Sequence, residues 1–356
     1  MTDQRDDRRL GFLDSLRGLA IYMVVCIHTL SYCLAMPHDL HRIVSFIVHT
    51  VAVPVFFMVD GYLFAHTKDG QKQFHFLPYI RQSAFRLLVP WIIFTITYAL
   101  ARYVFELVGF FDESIVVGAG LKQVVIYGYQ SVFAPQMYFL VSLFLIRLAS
   151  PLYHAMLSWK IGHMLVLVVV LYVAYRFSID IVKSALTIEG GLEPVSHALW
   201  GLQFYLAGMV VYRLQLLSHK TALLCLCCIL FAVMMVLEPS SAMLVRYKVY
   251  LVQFLYLLTL FFLFAHVRHS LSLLRVLGVS SMGIFLLHAP VLLKVLSLAI
   301  NRLVDDPLIS FLSISVLATA ASYAVMTMIS KVPYGSVLFG VPYGESRLSR
   351  GGASDG

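Results

Sequence analysis

Arg17 and His28 stand eleven residues apart in one apolar stretch. If that stretch is a helix, about 100° per residue returns His28 to within about 20° of the face that carries Arg17. About 1.5 Å of rise per residue then separates the two by about 16 Å along the axis. One helix face would present a fixed cation and, about three turns further on, a titratable base. An arginine clamps phosphate or polarises a carbonyl, and a neutral imidazole takes a hydroxyl proton, so the pair suits transfer from a phosphorylated donor. In the competing structural reading, Arg17 reaches for the membrane interface with Asp14 as its partner one turn back, and His28 makes a hydrogen bond between helices.

Other ionisable residues interrupt apolar runs, where charge is costly and each is a candidate for function. Asp60, followed by Gly61, is the carboxylate well inside the second run. It falls at a depth similar to that of Arg17, and the two are expected to pair. Arg147 lies on the inner half of the fourth run, and Arg81 and Arg86 come just ahead of the third. Converging with Arg17, they would form a phosphate-binding mouth; alternatively, Arg81 and Arg86 are ordinary cationic anchors at a membrane face. His288, within Leu-Leu-His-Ala-Pro, is a second mid-helix imidazole and is expected to make a structural hydrogen bond, with Pro290 opening the helix beside it. Arg102 and Glu106 have the i, i+4 spacing of a helical ion pair. His49, His197 and His266 receive no assignment.

These residues need a membrane scaffold. Of 356 residues 60% are hydrophobic and 12% charged, which excludes a soluble globule, and continuous rather than alternating apolar runs select helices over a barrel. The expected fold is an all-α polytopic membrane protein with about ten transmembrane helices near 13–36, 43–66, 84–109, 136–155, 161–180, 197–216, 221–237, 248–267, 281–301 and 308–330. An even number places both termini on one side. Lys68, Lys72, Arg81, Arg86, Arg147, Lys160, Arg213, Lys220, Arg268, Arg275, Lys331, Arg347 and Arg350 fall on the side of Arg5, Arg8 and Arg9, which makes that side cytoplasmic. The opposite loops hold Asp39, Asp112, Glu113, Glu189, Glu193, Asp305 and Asp306. Residues 1–330 read as a single transmembrane domain and 331–356 as a partly disordered cytoplasmic tail, in which Val-Pro-Tyr-Gly occurs twice. The segment from about 110 to 135 is the longest outer connection and is expected to be re-entrant or interfacial. The first run, which holds Arg17 and His28 and has no small-residue cleavage site, is a helix rather than a signal peptide. The net charge of +8 is spread over helix ends with no basic run, so no nucleic-acid partner is expected. The five cysteines match no metal or redox spacing, and no metal is expected.

The string Phe12-Leu13-Asp14-Ser15-Leu16-Arg17-Gly18-Leu19-Ala20, followed by Val24-Val25-Cys26-Ile27-His28-Thr29, resembles the opening of the membrane acyltransferase 3 family, including its eleven-residue Arg to His interval. Further landmarks follow in order: Val53 to Phe64 around Asp60-Gly61, Arg86-Leu87-Leu88-Val89-Pro90, Met137 to Leu140 leading to Ser150-Pro151-Leu152, Leu206-Ala207-Gly208-Met209, and Ser281 to His288. The layout looks like that of bacterial inner-membrane O-acetyltransferases acting on surface-polysaccharide precursors, of the enterobacterial common antigen type. The resemblance implies acetyl-CoA as donor on the cytoplasmic side, a glycan or lipid-linked glycan as acceptor, and activity dependent on His28 and Arg17. It also implies donor contact by the arginine segment at Arg86 and Arg81. The chain departs from the family pattern at Ser83, where a first paired arginine would stand, and at Asp60, which replaces a serine.

The expected mechanism places donor phosphates against Arg17, Arg86 and Arg147 and makes His28 the general base. An acyl-histidine intermediate and succinyl or longer acyl donors remain open alternatives. The rival reading is a proton-coupled transporter or flippase, since buried His, Asp and Arg also serve carriers; no inverted repeat is visible to favour it. A third reading is a degenerate scaffold in which Arg17 and His28 are dispensable.

Overall fold

The structure, a computed structural model, describes residues 3–109, 114–170, 193–237, 242–267 and 271–341, and these are helical throughout apart from their turns. In chain order the helices are α1 (Asp3–Thr29), α2 (His38–His49), α3 (Ala52–Lys68), α4 (Phe76–Leu107), α5 (Leu121–Tyr129), α6 (Tyr138–Leu148) and α7 (Ser150–Met156), then α8 (Ile161–Val170). They continue as α9 (Glu193–Arg213), α10 (Lys220–Val236), α11 (Ala242–His266), α12 (Ser272–Val279), α13 (Ser281–Leu287), α14 (Leu293–Ile300) and α15 (Pro307–Ile329).

Among the described residues seven helical stretches are long and apolar enough to cross a membrane, and eight if α6 and α7, bent by 54° at their junction, make one span. The ten expected spans exceed that number. The second half of the span expected at 161–180 lies outside the described residues, as do Asp112, Glu113, Glu189, Arg268, Arg347 and Arg350. Helix α9 mixes Glu193, Ser196, His197 and Gln203 into its apolar residues and is not among the seven.

Boundaries differ from the expected ones for local reasons. Helix α4 begins at Phe76, so Arg81 and Arg86 lie within it rather than ahead of it; arginine is a good helix former, and a charge at a wet end does not stop a helix. The α6–α7 bend falls where Pro151 has no N–H to continue the ladder, and proline is accepted at the start of a new helix. Pro54 has a related effect. Its missing N–H leaves the Thr50 carbonyl without a helical donor, and Gln253 Nε2, from α11, donates to that oxygen at 2.8 Å.

The chain forms two compact units, Met1–Thr67 with Phe204–Tyr323 and Lys68–Gln203 with Ala324–Gly356. In the first unit, α1 packs along α12 with the two backbones touching. A Cβ added at Gly18 would stand 1.8 Å from the Leu274 carbonyl oxygen, and one added at Gly278 would stand 1.8 Å from that of Asp14. Gly61 on α3 and Gly208 on α9 form the same reciprocal arrangement against Tyr205 and Met58. Small residues at helix crossings allow this close packing in a membrane, where apolar side chains gain little by leaving lipid. Asn301, after α14, donates to the Tyr32 carbonyl beyond α1 at 2.9 Å and accepts from Ser310 of α15 at 2.6 Å.

In the second unit α4 packs against α5 and α6. Arg102 and Glu106 pair as their spacing predicts, with Nε 2.6 Å from Oε1. The buried carboxylate also accepts backbone N–H bonds of 2.9 Å from each of Ile115, Val116 and Val117. Glu106→Gln is therefore expected to lower stability by about 2 kcal/mol, the scale of a charge-assisted bond. Limited proteolysis would show faster cleavage near Val116, while an unchanged cleavage rate would mean that the loop holds itself. The start of the expected tail is packed. A short helical turn at Gly335–Phe339 sets Phe339 6.3 Å from Phe94, and Gly340, at φ +73°, lies against the Arg86 backbone, where a Cβ would come 2.5 Å from the carbonyl oxygen. Residues 342–356 lie outside the described residues.

Candidate functional site

Arg17 and His28 both lie on α1, unbroken from Asp3 to Thr29, so their spacing has the helical meaning expected of it. Arg17 Nη1 lies 3.7 Å from Asp14 Oδ1 with side chains 33% and 29% exposed, a pair worth at most about 1 kcal/mol. The firmer constraint comes from another helix: Nη2 donates to Ser281 Oγ, at the start of α13, across 3.2 Å. The guanidinium is thus aimed from two helices, on a side chain that is 33% exposed as a whole.

His28, half-buried, faces a second imidazole. The His28 and His288 ring centres are 5.2 Å apart with their planes at 52°. His288 closes α13 and is fully enclosed, with 0% exposure. Its Nδ1 lies 3.0 Å from the Ile284 carbonyl oxygen. A carbonyl only accepts, so Nδ1 carries the proton and Nε2 of the neutral ring is an acceptor. Among the described residues that buried Nε2 has no hydrogen-bond partner, an omission that costs about 1–3 kcal/mol. The chain leaves helical geometry immediately afterwards, at Ala289 (φ −134°, ψ 153°), a kink that separates α13 from α14. The expected structural bond from His288 is present, but it uses one nitrogen only.

His49, at the end of α2, has its Nδ1 3.2 Å from Ser45 Oγ. Asp60 is half-buried on α3. Arg81 and Arg86 on α4 and Arg147 on α6 belong to the second unit. The two α4 arginines are exposed and Arg147 is half-buried. Five residues separate Arg81 from Arg86, about 140° around a helix, so they do not share a face. Among the described residues no three His, Cys, Asp or Glu side chains come together as a group that could hold a metal ion.

Sequence reasoning does not find Ser281. Ser281 is 264 positions from Arg17, and an isolated serine at a helix start gives no sign of a distant partner.

A helical membrane protein whose first helix carries a half-buried imidazole, backed by a second and preceded on the same face by a held arginine, has the parts of a group-transfer enzyme. The acyltransferase 3 profile, that of an acyltransferase domain, matches residues 10–327. The chain belongs to that family and is a membrane acyltransferase. Comparison with curated proteins and with solved structures returned no match.

Proposed function

We propose that this acyltransferase moves an acetyl group from acetyl-CoA to a hydroxyl of a cell-surface glycan or lipid-linked glycan precursor, in the inner membrane of a bacterium, with about ten spans and both termini cytoplasmic. The observation that carries the reading is the single face of α1 that bears Arg17, held by Asp14 and Ser281, and His28. Arg17 binds donor phosphate, with Arg86, Arg81 and Arg147 as further cationic contacts and Asp60 as a supporting carboxylate. His28 removes the proton of the acceptor hydroxyl as its oxygen bonds to the acyl carbon. The carbon–sulfur bond breaks, and the proton passes from His28 to the leaving thiolate. Family membership gives the transporter reading no support.

The thermal stability of the detergent-purified protein tests donor binding. Acetyl-CoA at about 100 times its Kd is expected to stabilise the wild type by about 2.7 kcal/mol. The shift should disappear in Arg17→Ala and persist in His28→Ala. A folded wild type that acetyl-CoA leaves unmoved would remove acyl-CoA as the donor.

A further inference from the structure

We infer that His288 is the positioning residue of the reaction, using its one uncommitted nitrogen, Nε2, to hold the His28 ring in the tautomer that can act as base. The inference rests on the proposed role of His28.

Three observations converge on it. The donor Nδ1 of His288 is committed to Ile284, which leaves Nε2 as an acceptor with a single lone pair. That acceptor is fully buried and has no hydrogen-bond partner among the described residues, so the group placed to reach it lies within the protein rather than in solvent. The polar ring beside it is His28, 5.2 Å away between centres. Each imidazole nitrogen lies roughly 1.1 Å from its ring centre, so nitrogens turned towards each other at this spacing would stand about 3 Å apart, an ordinary hydrogen-bond distance. The bond requires a nitrogen of each ring to be turned towards the other, and catalytic hydrogen bonds are often unmade until substrate arrives.

The consequence for His28 follows from proton bookkeeping. If the His28 nitrogen that faces His288 donates its N–H to Nε2, the other His28 nitrogen must carry the lone pair. When that nitrogen takes the acceptor's hydroxyl proton, His28 becomes a cation with both nitrogens protonated, and the His288 lone pair stabilises the N–H directed at it. His288 supplies no proton and receives none. Exposure separates the roles, because half-buried His28 can meet substrate, whereas enclosed His288 acts only through His28. The break at Ala289 and Pro290 lies just past His288, so α13 ends there and the imidazole is presented at a helix terminus.

The test compares two substitutions in the full-length protein, in membranes of an expressing strain, by transfer of radiolabelled acetyl from acetyl-CoA to the glycan fraction. His288→Asn keeps an amide N–H near the Nδ1 position, and with it the bond to Ile284, but has nothing at the Nε2 position. His288→Gln can place an amide oxygen there as acceptor. For asparagine the turnover rate is expected to fall by about one to two orders of magnitude, with KM for acetyl-CoA and melting temperature unchanged, and glutamine should recover at least part of the loss. Asparagine activity within twofold of wild type overturns the inference, as does equal loss in both variants when both are folded. If the asparagine variant does not fold, the glutamine variant decides: turnover within tenfold of wild type supports the inference, and a loss as great as that of His28→Ala overturns it. Wild-type transfer no higher than that of His28→Ala would remove the acyl-transfer reading itself, whereas wild-type transfer lost in His28→Ala and kept in His288→Asn removes the role of His288 alone.

Discussion

His28→Ala is expected to reduce acetyl transfer by about 10²- to 10⁴-fold, the usual contribution of a general base. The fold should survive the change, since the side chain is half-buried and sits on a helix that alanine favours. The loss should fall on turnover rather than on KM, because the imidazole acts on the reacting hydroxyl rather than on the distant phosphates, which Arg17 meets about 16 Å away along α1. Steady-state transfer of labelled acetyl measures it. A variant that keeps more than a tenth of wild-type turnover would show that the hydroxyl loses its proton elsewhere. Persistent stabilisation by acetyl-CoA in the same variant would locate the defect after donor binding.

The second large effect concerns packing. Gly18→Ala is expected to force α1 and α12 apart, because the new methyl would stand 1.8 Å from the Leu274 carbonyl oxygen, and neither element has a flexible side chain at that point to give way. Overpacking costs about 1–3 kcal/mol, and a clash between two backbones belongs at the upper end, a drop on the order of 10 °C in melting temperature. Gly278→Ala should cost a similar amount, meeting Asp14 at 1.8 Å. The double variant should cost clearly less than the sum, since helices already parted by one methyl have room for the second. Gly162→Ala, with nothing among the described residues within 4 Å of the added atom, should be neutral or slightly stabilising. Additive losses would mean that the two contacts are independent. Activity should fall with stability in Gly18→Ala, because Arg17 next to it is held to Ser281 at the start of α13, which follows α12 directly.

What could be read from the sequence was what acts within one helix. Helical spacing placed Arg17 and His28 on a common face, gave Asp14 as the neighbour of Arg17, and paired Arg102 with Glu106; the structure has the last two contacts at 3.7 Å and 2.6 Å. The sequence also placed Pro290 beside an opened helix. It offered no view of contacts between distant segments. The grip of Glu106 on three backbone amides, the donation from Gln253 to the carbonyl exposed by Pro54, and the meeting of His28 with His288 depend on tertiary packing that no periodicity encodes. Glycines 18 and 278 carried no separate signal either, since a lone glycine in an apolar run is equally a loop, a kink or a contact. The turn at Gly335–Phe339 was hidden by composition, because a stretch of Pro, Gly and Ser reads as tail until Phe339 is seen beside Phe94.

The bond from Arg17 to Ser281 joins residues 264 positions apart, and this has a consequence for biosynthesis. At about 5–20 residues per second of translation, α1 enters the bilayer some tens of seconds before α12 and α13 exist. During that interval the groove at Gly18 is unfilled and Arg17 has Asp14 as its local support. The nascent first helix thus has α2, made directly after it, as an early neighbour, but its largest contact, with α12, comes late. A chain that stops short of Ser281 would leave it stranded in that state and open to membrane quality control.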